Sequence, residues 1–227
     1  MTQVILLRMT FSNAYLVRGR KTILIDTGGP RESIKILRAL AQTGIQPKDF
    51  SLILHTHAHF DHAGSTAEFK RMTDAPVAIH EADAAMLARG RMNPLTPTGL
   101  EARLLMPVIN QPFPPVKADI LIKEELSLKA FGVDGKIIFT PGHTAGSLSI
   151  LLNNGEAIVG DLMMGGMLGG ALFSKHPHYH YYADDIEAVR ASIRKLMGYK
   201  PKKLYVGHGG PLEAADVREF FSQDIQF

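Results

Sequence analysis

Apolar residues in the first third of the chain come in short runs broken by turn residues. Residues 4–7, 14–17 and 22–25 are β-branched or aliphatic, and Asn13, Gly19-Arg20 and Asp26-Thr27-Gly28-Gly29-Pro30 interrupt them. Runs of this length between turn signals predict strands. The period then changes. Ile34, Leu37 and Ala41 recur at helical spacing with Gly44 just beyond, which predicts a helix over 31–42. A short buried strand at 51–54 runs straight into a histidine-dense loop, followed by a helix at 65–72, a strand at 77–79 and a helix at 82–88. Regularity is lost between 90 and 117 under Pro94, Pro97, Pro107, Pro112, Pro114 and Pro115. An irregular stretch of that length predicts a lid or binding loop. Strands return at 120–121, 126–130, 137–139, 148–152 and 157–159. A second irregular segment, 163–182, is rich in Gly and then in His and Tyr. A helix over 184–197, capped from Ala183-Asp184-Asp185, a strand at 204–206 and a helix at 212–221 close the chain. The strict alternation of strand and helix that marks a doubly wound sheet is absent.

Composition narrows the function. A length of 227 residues fits one domain spanning 1–227. The absence of cysteine removes disulfide scaffolds, thiolate nucleophiles, zinc ribbons and iron–sulfur clusters together. A net charge of +3 gives no support for a nucleic-acid partner. No apolar run approaches the ~20 residues that cross a bilayer, and Met-Thr-Gln-Val-Ile-Leu-Leu-Arg lacks the basic and apolar regions of a signal peptide. The expectation is a soluble, cytoplasmic protein with a small-molecule substrate and no membrane partner; oligomeric state stays open.

Histidine changes the picture. Most of the 10 histidines fall in a few clusters, the densest being His55-Thr56-His57-Ala58-His59-Phe60-Asp61-His62-Ala63-Gly64. Imidazole and carboxylate bind divalent first-row metals at neutral pH. His143 in Pro141-Gly142-His143-Thr144, Asp161 in Gly160-Asp161 and His208 in Gly207-His208-Gly209-Gly210 each follow a predicted strand. Any one of them alone would be an ordinary turn residue. Together they place candidate ligands at strand ends, where loops carry chemistry on a rigid scaffold.

These motifs resemble the metallo-β-lactamase superfamily. Its His-x-His-x-Asp-His signature is matched by His57-Ala58-His59-Phe60-Asp61-His62, and the order through His143, Asp161 and His208 fits as well. The resemblance runs from Leu24-Ile25-Asp26-Thr27-Gly28 to Gly207-His208-Gly209. It implies an α/β (α+β) fold, a four-layer αββα sandwich with the metal site on one edge. It places a first metal ion on His57, His59 and His143, a second on Asp61, His62 and His208, and Asp161 between the two. Zinc is the expected ion, with iron or manganese as alternatives, and a separation of about 3.5 Å is expected for a dinuclear hydrolytic site. Asp26 matches the family's strand-end aspartate and is expected to orient a ligand imidazole. His55 lies outside the motif, and His80-Glu81 is expected to cap a helix.

Within the superfamily, Asp161 argues against the antibiotic-hydrolysing branch, which generally carries another residue there. The chain is too short for the inserted domain of the ribonuclease branches, and it lacks the flavin domain of the diiron flavoproteins. What remains is similar to glyoxalase II and the lactonases, although only 19 residues follow His208, too few for the glutathione-binding domain of glyoxalase II. The expected activity is hydrolysis of a small ester, thioester or lactone by metal-bound hydroxide, with Asp61 or Asp161 handling the proton. The alternative is a persulfide dioxygenase of the same fold, holding one iron through His57, His143 and Asp161. A third reading is a non-catalytic module with a degenerate site. Tyr179, Tyr181 and Tyr182 are the expected substrate wall, since their segment begins shortly after Asp161 and tyrosine offers an apolar face with a hydroxyl.

Overall fold

The structure, a computed structural model, describes residues 2–227. The chain forms β1 (Gln3–Arg8), β2 (Asn13–Arg18), β3 (Thr22–Ile25), α1 (Ser33–Thr43), β4 (Phe50–Leu54), α2 (Phe60–Ala63), α3 (Thr66–Thr73), β5 (Val77–His80), α4 (Ala84–Arg89), α5 (Leu100–Ile109) and β6 (Ile120–Ile122). It continues with β7 (Leu126–Ser127), β8 (Gly135–Phe139), β9 (Leu148–Leu152), β10 (Glu156–Gly160), β11 (Met164–Met167), β12 (Leu172–His178), α6 (Ile186–Gly198), β13 (Lys203–Val206), β14 (Leu212–Glu213) and α7 (Ala214–Phe221). One sheet runs in spatial order β1-β2-β3-β4-β5-β6, the other β14-β13-β10-β9-β8-β7, and β11 and β12 form a separate hairpin. No described helix is long and apolar enough to cross a membrane.

Strand alternation produces the layers. In β2 and β3, Leu16 and Leu24 face the helices while Tyr15, Val17, Ile23 and Ile25 face the second sheet. In β8 and β10, Ile137 and Ile158 face the first sheet while Ile138, Ala157 and Val159 face α6 and α7. Side chains alternate across a strand, so two sheets that are apolar on both faces need three buried interfaces. Three hydrophobic clusters fill them, giving helices, sheet, sheet, helices. Helix ends follow their punctuation. Gly44 and Gly90 adopt left-handed φ of 70° and 65° after α1 and α4, and Asp185 caps α6 by accepting from the Glu187 and Ala188 N–H groups.

Both segments expected to be irregular carry elements. Within 90–117, α5 forms over Leu100–Ile109; Leu100–Met106 contains no proline and is built from strong helix formers. Within 163–182, β11 and β12 pair across a turn at 168–171. A Cβ on Gly165 would overlap the Ser174 carbonyl, so glycine serves close backbone approach here. The strand expected over 126–130 is shorter, β7 giving way to a 3₁₀ turn over Leu128–Phe131, and α7 begins two residues after 212 because β14 precedes it.

The parallel pairs fix the functional edge. β3 and β4 are parallel, as are β10 and β13, and β8 runs antiparallel to β9, which runs antiparallel to β10. The C-terminal ends of β3, β4, β8, β10 and β13 therefore meet along one edge. Cross-sheet hydrogen bonds pin it. Asn13 Nδ2 donates to the Val206 and Gly209 carbonyls, Tyr15 Oη donates to Val206 O at 2.6 Å, and Leu148 N–H donates to Thr56 O at 2.9 Å.

Candidate metal centre

Asp161 follows β10 and lies at the centre of the edge. Its Oδ2 stands 3.6 Å from His57 Nε2, 3.4 Å from His62 Nε2, 3.4 Å from His143 Nε2, 3.3 Å from His180 Nε2 and 3.3 Å from His208 Nε2. His59 Nδ1 is 3.0 Å from His143 Nε2, and Asp61 Oδ2 is 3.4 Å from His208 Nε2. Ligand atoms of His57, His59, His143 and Asp161 lie within 4.8 Å of one another, as do those of Asp61, His62 and His208. The structure brings all seven expected residues together at this edge, with Asp161 grouped with His57, His59 and His143 and again with His180 and His208.

The remote ring nitrogens settle which atoms face inward. His62 Nδ1 donates to Asp26 Oδ2 at 2.9 Å, His143 Nδ1 to the Tyr182 carbonyl at 2.8 Å and His208 Nδ1 to the Phe11 carbonyl at 2.7 Å. Thr56 Oγ1 donates to Asp26 Oδ2 at 2.7 Å, which leaves it to accept from His57 Nδ1 at 3.0 Å. In all four rings Nδ1 is committed to an outer partner and Nε2 faces Asp161. Such outer hydrogen bonds fix ligand tautomer and orientation.

The inward atoms lack partners. His57 Nε2, His62 Nε2 and Asp161 Oδ1 are buried with no hydrogen bond. Buried polar atoms are otherwise paired, and converging lone pairs with a carboxylate oxygen are a donor set that fits a divalent cation. Protonation agrees. Burial, with the imidazoles around it, holds His57 well below its ordinary value, and burial brings His59 and His143 down to about 3, outweighing the pull of Asp161. Burial alone would raise Asp161, but His62, His208 and His180 hold it well below the usual carboxylate range. Neutral imidazole and ionised carboxylate are the metal-binding forms.

Asp26 sits beneath the centre with a left-handed φ of 57°. Its carboxylate accepts from Thr56 N, Thr56 Oγ1 and His62 Nδ1. His55 is buried beside it, its Nε2 hydrogen-bonded to Thr66 Oγ1 at 2.9 Å. His80 Nδ1 accepts from Ala82 N–H at the start of a 3₁₀ turn. A Cβ at Gly207 would collide with Asp161 Oδ1 and His62, so the centre needs glycine there.

Two residues escaped the sequence reading. His180, which follows β12, joins Asp161 and His208 in a third cluster. Tyr182 N–H points at His180 Nδ1 at 3.2 Å, and the Tyr182 carbonyl already accepts from His143. His180 Nδ1 is also 3.2 Å from the Tyr182 carbonyl, so the ring can accept from the amide and keep its proton on Nε2, facing the centre, or donate to the carbonyl and leave Nε2 free as a ligand atom. Its signal was the His-x-His-x-His run at 176–180, whose first two members face elsewhere, against Phe220. Asp83 accepts from Ala58 N, Thr144 Oγ1 and Gly146 N, joining the loop of His57 and His59 to that of His143. No spacing rule links Asp83 to either loop.

Above the centre lies a cavity of about 250 Å³. Tyr181 and Tyr182 line it. Tyr179 does not. It packs on Phe221, with ring centroids 4.8 Å apart, and its hydroxyl accepts from Arg190. The chain leaves β12 at His178, and His180, Tyr181 and Tyr182 that follow all face the cavity while Tyr179 faces α7. Tyr181 Oη accepts from Leu168 N–H at 2.9 Å, while Tyr182 Oη donates to the Ala102 carbonyl at 2.5 Å.

A family model described as the metallo-beta-lactamase superfamily matches residues 7–208. The "Probable metallo-hydrolase MJ0888" of Methanocaldococcus jannaschii is 32% identical over 202 residues, 87% of each chain. A "Thioesterase pkgB" of Emericella nidulans is 27% identical over 87% of this chain and 46% of its own length. Among solved structures, a metallo-β-lactamase of Cronobacter sakazakii with a HARLDQ motif superposes with a TM-score of 0.64 at 27% identity, covering 91% of this chain and 75% of that one.

Proposed function

The chain belongs to the metallo-β-lactamase superfamily and is a metal-dependent hydrolase; on that premise we propose that it hydrolyses a small ester, thioester or lactone at a centre holding two divalent metal ions. The observation that carries this is the convergence of five imidazole nitrogens on one buried carboxylate oxygen. His57, His59 and His143 would hold one ion, Asp61, His62 and His208 the other, and Asp161 would serve both. Zinc suits the imidazole and carboxylate donors, and iron or manganese fits them too. Such ions polarise a carbonyl and make water acidic enough to attack at neutral pH. The thioesterase among the relatives supports the acyl-transfer reading.

The chain's own residues do the rest. Asp61 and Asp161 both line the cavity floor, within reach of the proton released by an attacking water. With its proton on Nε2, His180 presents a donor where charge develops on the carbonyl oxygen. Tyr181 Oη accepts from Leu168 and keeps its own proton to donate into the cavity. The apolar walls exclude bulk water, which strengthens each of these interactions. The test is hydrolysis of short thioesters and lactones under anaerobic conditions, expected to proceed, to stop with a strong chelator and to return with zinc. Oxygen uptake with a persulfide substrate, with every acyl compound untouched, would replace this reading with an iron dioxygenase.

A further inference from the structure

The cavity has two chemically different sides. Its floor carries His59, Asp61, Asp161, His180 and His208. The rest of its lining includes Phe11, Phe60, Met92, Leu95, Ile109 and Leu168, drawn from the turn after β1, α2, the 90–117 segment and the hairpin tip. No lysine or arginine is among the described residues that line it. Tyr182 has committed its hydroxyl to Ala102, so it presents its ring.

This division excludes substrates as well as admitting them. A leaving group that carries carboxylates or phosphates needs cationic partners, and a charge buried without them is costly. The wall provides none. The volume, about 250 Å³, lies below the ~300–1,000 Å³ typical of drug-sized ligands. The apolar surface also continues outward. Phe11 is 52% exposed and Leu168, which opens the β11–β12 turn, 62%; beyond the lining, Phe173 in β12 is 77% exposed, and Leu168 and Phe173 each have a left-handed φ of 52°. Methionine at 92 and 164 gives the wall an adaptable lining.

We propose that the substrate is an uncharged ester, thioester or lactone with an apolar acyl chain of medium length. Its carbonyl lies at the polar floor and its chain against Phe60, Met92, Leu95 and Leu168. Water supplies the oxygen of the acid product, the bond from the acyl carbon to sulfur or oxygen breaks, and the leaving atom takes a proton. The proposal rests on the hydrolase reading above.

The experiment compares acetyl, butyryl, hexanoyl and octanoyl thioesters of one uncharged thiol, N-acetylcysteamine, with the hexanoyl thioester of glutathione. The expected kcat/KM rises about threefold to fourfold per methylene until the cavity is filled, and the glutathione thioester is at least about tenfold poorer than its neutral counterpart. Leu168→Ser is expected to compress the ratio of hexanoyl to acetyl. In parallel, the methyl resonances of Met92 and Met164 are followed by nuclear magnetic resonance. They are expected to shift on adding 2-octanone and to stay in place on adding glutathione. A flat chain-length profile or a preference for glutathione, with chelator-sensitive hydrolysis present, would overturn the substrate class alone. If no thioester, and no ester or lactone of the same acyl chains, is cleaved, the acyl-hydrolase reading falls, and methionine methyls unmoved by 2-octanone would still overturn the apolar site independently.

Discussion

The floor and the wall of the cavity are held in different ways. At and beneath the floor, His57, His143 and His208 stand in loops after strands and His62 in α2, each tied at its outer ring nitrogen to Thr56, the Tyr182 carbonyl, the Phe11 carbonyl or Asp26. The wall hangs from segments outside both sheets. Thr98 N–H donates to the Tyr181 carbonyl, Ala183 N–H to Thr96 O and Gly210 N–H to Ser174 O, and Leu168 and Phe173 at its rim are exposed. Chemistry that needs sub-ångström placement sits on parts that cannot repack, while recognition sits on parts that can. A change to the floor should therefore act through metal and rate, and a change to the wall through substrate choice.

The largest effect is expected from Asp161→Ala, which removes the carboxylate facing five imidazoles. Loss of kcat/KM of about 10³-fold or more, about 4 kcal/mol, with metal content falling alongside, is the expected result. Elemental analysis beside steady-state kinetics checks it. Asp26→Asn leaves every ligand in place and weakens the support of His62 and Thr56, so metal affinity should drop about 10- to 100-fold, as read by competition with a chromogenic chelator. His180→Phe sharpens the comparison from the other side. It should lower kcat by about 10²-fold through the lost donor, with metal content unchanged; loss of a metal ion would make His180 a ligand instead.

Asp83 gives a pH signature. Burial raises its pKa from 3.8 to about 6, with the hydrogen bonds from Thr144, Ala58 and Gly146 offsetting only part. A raised folded-state value means that the folded protein binds this proton more tightly than the unfolded chain. That contribution is complete below about pH 4 and is lost as pH rises through about 6, and its full span is about 3 kcal/mol. Asp83→Asn should be less stable overall, since one acceptor becomes a donor, yet should lack this fall. Urea unfolding of chelator-treated protein between about pH 4.5 and 7 measures the difference in slope. The smallest effect belongs to Tyr179→Phe, whose hydroxyl meets Arg190 away from the cavity; turnover should change less than about twofold, within the range of a surface substitution.

The same division governs what could be read from the sequence. The ligands were legible because each sits in a turn directly after an apolar run, and His57-Ala58-His59-Phe60-Asp61-His62 is specific. The sheets were legible by length and alternation, and the helices 33–43 and 186–198 by period and cap. The wall was not. Proline density across 90–117 hid α5, and the glycines of β11 removed the side chains from which a strand is recognised. His180 and Asp83 act through contacts with partners far away in sequence, Asp161 and Ala58 among them, and no local period announces such pairs. Which tyrosine faces the cavity depended on where the chain leaves β12, and Tyr179, Tyr181 and Tyr182 look alike until that is fixed.

The proposed dinuclear centre is tested most directly by counting metal. Untagged protein purified without added metal, then equilibrated with excess zinc and freed of unbound ion, should carry two zinc ions per chain by mass spectrometric elemental analysis, and His208→Ala should carry one. A single ion per chain in the unaltered protein at saturation would contradict the account.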